Sequence, residues 1–325
     1  MSIVLNLFVA AVIAGTPLLF GALGEILTEK SGNINLGVEG MMYMGAVSGL
    51  ASAYFYGLLA GKYTLGIIAV LLSLIFSFLF GALGGLIYSF LTVTLRADQN
   101  VTGLTLTIFG SGFGNFFGDF LGKTAGGSLV VADSIKGMFS NIKLPFLSKI
   151  PILGTLFFSY NWMVYFGIVL VIVMAWFFNR SRVGLNLRAV GEDPAAADAV
   201  GINVSRYKYL ATVIGGGICG IGGMYISMVS QNGVWVYDCV NGYGWLAVAL
   251  VIFATWSSKR AALVALVFGA LKIMRFYVTL PIPSHFYDMM PYIVTIVILV
   301  VTSMTQNREH AQPKSCGSNY FREER

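Results

Sequence analysis

The side chains that could do chemistry in this 325-residue chain are few, and most are carboxylates and amides. No GxSxG or HExxH pattern occurs, and the two histidines, His285 and His310, have no ligand-spaced partner, so neither a hydrolase nor a metal centre is indicated. The stretch nearest to a nucleotide-binding loop is GDFLGKT, residues 118–124. It has three residues between Gly118 and Gly122 where a phosphate-binding loop needs four, and it follows an apolar run instead of a strand. The chain therefore carries no visible ATPase of its own. An intramembrane enzyme would have to rest on Glu39, Asp238 and Asp288, which no nucleophile–base arrangement accompanies. Cys219, Cys239 and Cys316 form no CxxC pair and read as small core residues.

The elements that must position these groups follow from composition. Hydrophobic residues make up 57% of the chain, charged residues 10%, and the mean hydropathy is +0.80. A soluble domain carries about 25% charged residues. The expected class is an all-α, polytopic integral membrane protein. Apolar runs fall at 3–23, 41–60, 64–94, 101–118, 161–179, 208–230, 240–257, 261–279 and 289–305, giving about eight to ten transmembrane helices within a membrane domain over 1–305. The first run lacks the basic flank of a cleaved signal and is expected to be retained as a helix. Residues 24–40 hold Glu25, Glu29, Lys30, Asn33, Asn35 and Glu39, and form either a loop or irregular backbone sheltered within the protein. The net charge of +6 reflects basic residues collected in short loops, not a nucleic-acid surface. Arg180, Arg182, Arg188, Arg206 and Lys208 place loop 180–208 in the cytoplasm; Lys259 and Arg260 do the same for 257–260, and Arg308, Lys314, Arg322 and Arg325 for the tail 306–325. Parity then puts 119–160, with Lys123, Lys136, Lys143 and Lys149, outside as an extracellular loop, and the N-terminus outside with nine spans. Lys272 and Arg275 are expected to snorkel to the outer surface, where they could help to dock a binding protein. Gly110, Gly114 and Gly118, Gly81 and Gly85, and Gly216 and Gly220 recur at helical spacing, which lets helix backbones approach closely in lipid.

Three polar motifs stand out. NINLGVEG, residues 33–40, is either a surface loop or a broken segment near a translocation path, with Asn33, Asn35 and Glu39 as path candidates. VNGYGW, residues 240–245, offers Asn241, Tyr243 and Trp245 either as interface anchors or as a surface on which a nucleobase or sugar face would stack. GEDPAAADAVGI, residues 191–202, is a short capped helix. Asp193 caps it, Pro194 fits its first position, alanines fill it with Asp198 solvated, and Gly201 stops it. Two turns are marginal in water. It is either an ordinary loop helix or an element that sits in another protein's groove.

GALGEILTEKSGNINLGVEGMM, RAVGEDPAAADAVGINVSRYKYL and GYGWLAVALVIF together resemble the inner-membrane permease subunits of bacterial ATP-binding-cassette importers, in the branch with branched-chain amino acid, ribose and nucleoside permeases. The chain looks most like the shorter permease of a simple-sugar or nucleoside system, over about Gly21 to Thr305. The resemblance implies a multi-pass plasma-membrane permease that is not itself an enzyme and binds no cofactor. ATP and magnesium would be held by a separate ATPase on the cytoplasmic side. A second permease, a longer homologue, and an extracellular substrate-binding protein would complete the system. Gly191, Glu192, Asp193, Pro194, Ala195, Ala196, Asp198 and Gly201 match the loop that contacts the ATPase. Nucleosides are the expected cargo; ribose or another simple sugar comes second and branched-chain amino acids third. An independent secondary transporter is the competing class.

Overall fold

A computed structural model describes residues 3–141, 153–277, 283–305 and 312–321. Lys143, Lys149, Arg308, His310, Arg322 and Arg325, and the side chains of His285 and Asp288, lie outside the described residues. The described residues form an all-α fold: α1 (Ile3–Glu29), α2 (Val38–Ala60), α3 (Gly66–Ser89), α4 (Gln99–Thr124), α5 (Asp133–Phe139), α6 (Leu153–Phe157), α7 (Trp162–Arg180), α8 (Arg182–Glu192), α9 (Pro194–Ala199), α10 (Val204–Tyr225), α11 (Tyr243–Phe253), α12 (Ser258–Ile273) and α13 (Ser284–Thr305). A π turn extends α3 over Phe90–Thr94, and another extends α10 over Ile226–Ser230. The only β feature among the described residues is one antiparallel bridge between Val130 and Val234.

Among the described residues each apolar run of the sequence contributes a helix, but not every one of these helices is long enough to cross a bilayer. α11 has 11 residues, or about 16 Å against a hydrocarbon core of about 30 Å. The rest of its path is the non-helical stretch 231–242. α1 continues to Glu29, beyond the apolar run ending at 23. It can do so because its carboxylates find buried donors: Asn35 N donates to Glu25 Oε1 (3.1 Å), and Trp256 Nε1 donates to Glu29 Oε2. Irregular backbone is confined to residues 30–37.

α10 is the central element and packs against α1, α2 and α3. The contact with α3 is a glycine seam: a Cβ on Gly81 would lie 2.3 Å from Gly216 O, and one on Gly220 would lie 2.3 Å from Ser77 O. Backbones this close leave no room for any side chain, which is the purpose of small residues between helices in lipid. Serines join the helices across the same region. Ser73 Oγ donates to Gly49 O (2.9 Å), and Ser227 Oγ donates to Ala46 O (2.9 Å). The stripe Gly110, Gly114 and Gly118 seats α4 against Gly40, Tyr43 and Trp235 in turn.

Candidate functional site

The arginine-rich end of the bundle carries the capped helix. Asp193 Oδ1 accepts from Ala196 N (2.9 Å), Pro194 opens α9, and Gly201 follows it at φ +86°. The positive φ is why glycine serves there. Ala197 is buried against Val190 and Val204, whereas Ala195, Ala196 and Ala199 are exposed, as are Glu192 and Asp193. α9 thus shows a small, featureless face outward. The sequence did not single out its companion, the amphipathic α8, which Ser181 caps through Gly184 N (2.9 Å).

The described part of the tail folds back across this end. Ser315 Oγ and N both donate to Gly191 O (2.7 and 3.0 Å). Tyr320 OH donates to Asp198 Oδ2 (2.8 Å), so Asp198 is engaged by the tail and not simply solvated. Asn319 Nδ2 donates to Arg96 O (2.7 Å), and Gln99 Nε2 donates to Ser318 O (3.4 Å), which fixes the same strap to the start of α4. The cradle of α9 and the N-terminus of α4 are therefore joined by one segment. Burial pushes the Cys316 thiol of this strap well above its ordinary value, with the nearby Glu29 adding to the shift. Lys30, at the same end, is held below its ordinary value by burial and by Arg188.

The polar residues of 33–40 are buried and bonded within the protein. Asn33 and Asn35 are fully buried and Glu39 is 5% exposed. Asn33 Nδ2 donates to Thr212 Oγ1 (3.1 Å), and Asn35 Oδ1 accepts from Gly37 N (2.9 Å). Ile34 N donates to Gln99 Oε1 (2.8 Å), Tyr88 OH donates to Ile34 O, and Thr107 Oγ1 donates to Leu36 O (2.8 Å). Such accounting is what allows irregular backbone inside a membrane protein. Glu39, in the first turn of α2, reaches the start of α11, where its Oε2 accepts from Gly242 N (3.1 Å) and Trp245 N (3.4 Å). One carboxylate thus serves two helix N-termini, where negative charge is favoured. Gly244 is required by this junction, since a Cβ on it would lie 2.3 Å from Glu39 Cβ. Tyr243 lies beneath the ammonium of Lys272, Trp245 is 39% exposed, and Asn241 is exposed.

A feature absent from the sequence candidates lies on α4. Five described helices are long and apolar enough to cross a membrane, namely α1, α2, α3, α7 and α10; α4, with 26 residues, is too polar to join them. Its face opposite the glycine stripe exposes Thr105, Ile108, Gly112, Phe116, Asp119, Phe120 and Lys123. Its ionisable groups, Asp119 and Lys123, lie in the last two turns, and Ile108, Phe116 and Phe120 make much of the rest of this face apolar. Along this face is a recess of about 610 Å³, lined by Ser111, Asn115, Phe116, Phe120, Tyr237 and Asp238 among others. Asp238 is fixed there by Asn115 Nδ2 (2.7 Å) and Tyr43 OH (3.1 Å), both donating to Oδ1. The sequence signal was the four-residue spacing of Thr107, Ser111, Asn115, Asp119 and Lys123, masked by the more obvious glycines. GDFLGKT is the end of this helix and not a phosphate loop.

The chain matches the family described as branched-chain amino acid transport system / permease component over residues 7–299. It is 36% identical to the "Putative glucose ABC transporter permease protein TsgC13" of Haloferax volcanii, over 85% of this chain and 78% of that one. It is 33% identical to the nucleoside ABC transporter permease protein NupC of Lactococcus lactis, over 95% of each chain. It is 34% identical to the guanosine ABC transporter permease protein NupQ of Bacillus subtilis, over 89% of each.

Proposed function

Since the chain belongs to the permease component family of branched-chain amino acid transport systems, it is a multi-pass permease subunit of an ATP-binding-cassette importer, and we propose that its cargo is a nucleoside. The arginine-rich end faces the cytoplasm. The ATPase, which holds ATP and magnesium, seats α9 in a groove through the exposed Ala195, Ala196 and Ala199, with Gly191, Glu192, Asp193, Pro194, Asp198 and Gly201 shaping and holding the helix. The observation that carries this reading is a short, fully capped helix with a small outward face, on a chain with no nucleotide loop of its own. The exposed face of α4 meets a second permease, a longer homologue, across the path. ATP-driven movement of α9 reaches that face through the strap 312–321, which bonds to both α9 and the start of α4. A substrate-binding protein delivers solute from outside.

Two relatives are named for nucleosides or guanosine and one for glucose, so a simple sugar is the second reading. Nucleosides and sugars both present vicinal hydroxyls. Competition decides between them: uptake of labelled uridine or adenosine in cells carrying the whole system should be suppressed by unlabelled nucleosides and not by ribose or glucose. Suppression by ribose or glucose alone would overturn the nucleoside assignment.

A further inference from the structure

The recess on α4 contains a carboxylate that the fold orients with care and then leaves half used. Asp238 sits at φ +56°, in the left-handed region that aspartate and asparagine enter more readily than other side chains. Three hydrogen bonds hold it there. Asn115 Oδ1 accepts from Asp238 N (3.1 Å), Asn115 Nδ2 donates to Asp238 Oδ1 (2.7 Å), and Tyr43 OH donates to the same oxygen (3.1 Å). Asn115 is 8% exposed and Tyr43 1% exposed, so two buried side chains direct their donors at one oxygen of an exposed residue. Both lone-pair directions of Oδ1 are thereby filled. Oδ2 receives no hydrogen bond from any described residue, and Asp238 lines the recess.

The walls around this oxygen are aromatic. The Phe116 and Phe120 rings are stacked with planes 8° apart and centroids 6.0 Å apart, and Tyr237 is 62% exposed. Asp119 and Lys123 also line the recess, and with Asp238 they leave it without an excess of positive charge. A solute that fits must bring donors to Oδ2 and a flat face to the rings, and it must carry no negative charge. A ribonucleoside meets all three conditions: vicinal hydroxyls on the sugar, a planar base and no phosphate.

We propose that this recess is a passage subsite for ribonucleosides, in which Asp238 Oδ2 accepts from the ribose 2′- and 3′-hydroxyls while the base lies against Phe116, Phe120 and Tyr237. The proposal rests on the nucleoside reading and adds to it a selection step within the permease, at the sugar. Asn115 and Tyr43 are positioning residues, because they act through Asp238.

The test uses the complete system, with its ATPase, partner permease and binding protein, in proteoliposomes. Initial rates are measured for uridine and for 2′,3′-dideoxyuridine with the wild-type chain and with Asp238→Asn. Taking the variant-to-wild-type ratio for each solute cancels the selection made by the binding protein. Asp238→Asn exchanges a charged acceptor for a neutral donor at Oδ2, so uridine uptake should fall about tenfold. Dideoxyuridine uptake should change less than about twofold on the same reasoning. Tyr43→Phe keeps the ring and removes one anchoring donor, and should give the same selective loss at about threefold. It also serves if Asp238→Asn fails to fold. Equal falls for both solutes, or no fall in either, overturn the subsite while leaving nucleoside transport intact. A wild-type system that moves neither nucleoside but does move a hexose overturns the nucleoside reading itself.

Discussion

Replacing Glu39 separates a residue that holds the fold together from one that meets the solute. Its Oε2 accepts from two backbone amides at the start of α11, Gly242 N at 3.1 Å and Trp245 N at 3.4 Å. Glu39→Ala leaves both amides without that acceptor. A stranded buried donor costs about 1–3 kcal/mol, and because these two are only partly buried the lower half applies, so the pair costs about 2–4 kcal/mol. Glu39→Gln keeps an oxygen in place and loses only the charge facing two helix N-termini, which is worth about 1 kcal/mol. At about 2–4 °C per kcal/mol, thermal unfolding in lipid nanodiscs should fall by about 4–16 °C for the alanine variant. The glutamine variant should lose about 2–4 °C. Both should keep the wild-type preference between uridine and its dideoxy analogue, because Glu39 is spent on backbone and is only 5% exposed. The reasoning fails if Glu39→Gln unfolds at the wild-type temperature yet alters that preference. Glu39 would then face the solute, as the path reading of 33–40 has it.

Two further outcomes follow from packing and from the strap. Gly220→Leu should abolish recovery of folded protein from the membrane, since a side chain there collides with Ser77 O, whereas Gly112→Ala, with open space around it, should unfold within about 1 °C of wild type. Normal recovery of the Gly220 variant would contradict the seam. Maleimide labelling of Cys316 should be slow at neutral pH, because burial raises its thiol and labelling requires the thiolate. Tyr320→Phe or Asp198→Arg, by loosening the strap from α9, should return the thiol toward its ordinary value and speed labelling about tenfold. Unchanged labelling would mean that the tail does not depend on α9.

Much of this arrangement was legible in the sequence because it rests on local rules. The capped α9 follows from Asp193, Pro194 and Gly201, each of which acts within a few residues of its own position. The glycine seam follows from spacing, although spacing does not say which helix each glycine meets. What stayed hidden depends on distant pairs. Glu25 and Glu29 suggested a helix ending near 23; they remain helical because Asn35 and Trp256 supply donors from 10 and 227 residues away. The shortness of α11 is invisible in an apolar run over 240–257, since Glu39, 203 residues from Gly242, sets where the helix begins. Asp238 drew notice only as an isolated acid. Its recess exists because Asn115, 123 residues away, turns it. The tail read as a basic appendage, because Ser315, Asn319 and Tyr320 carry no periodicity that would announce a strap.

The central claim, that a separate ATPase drives this permease through α9, is tested most directly by nucleoside uptake in proteoliposomes holding the whole system, with tryptophan placed at Ala195 or Ala199. Both positions are exposed, so the variants should fold. The account predicts that wild-type uptake requires ATP and that either tryptophan lowers uptake and permease-stimulated ATP hydrolysis together, by about tenfold or more. ATP-independent uptake by this chain alone, driven by an ion gradient and unaffected by the tryptophans, would contradict it.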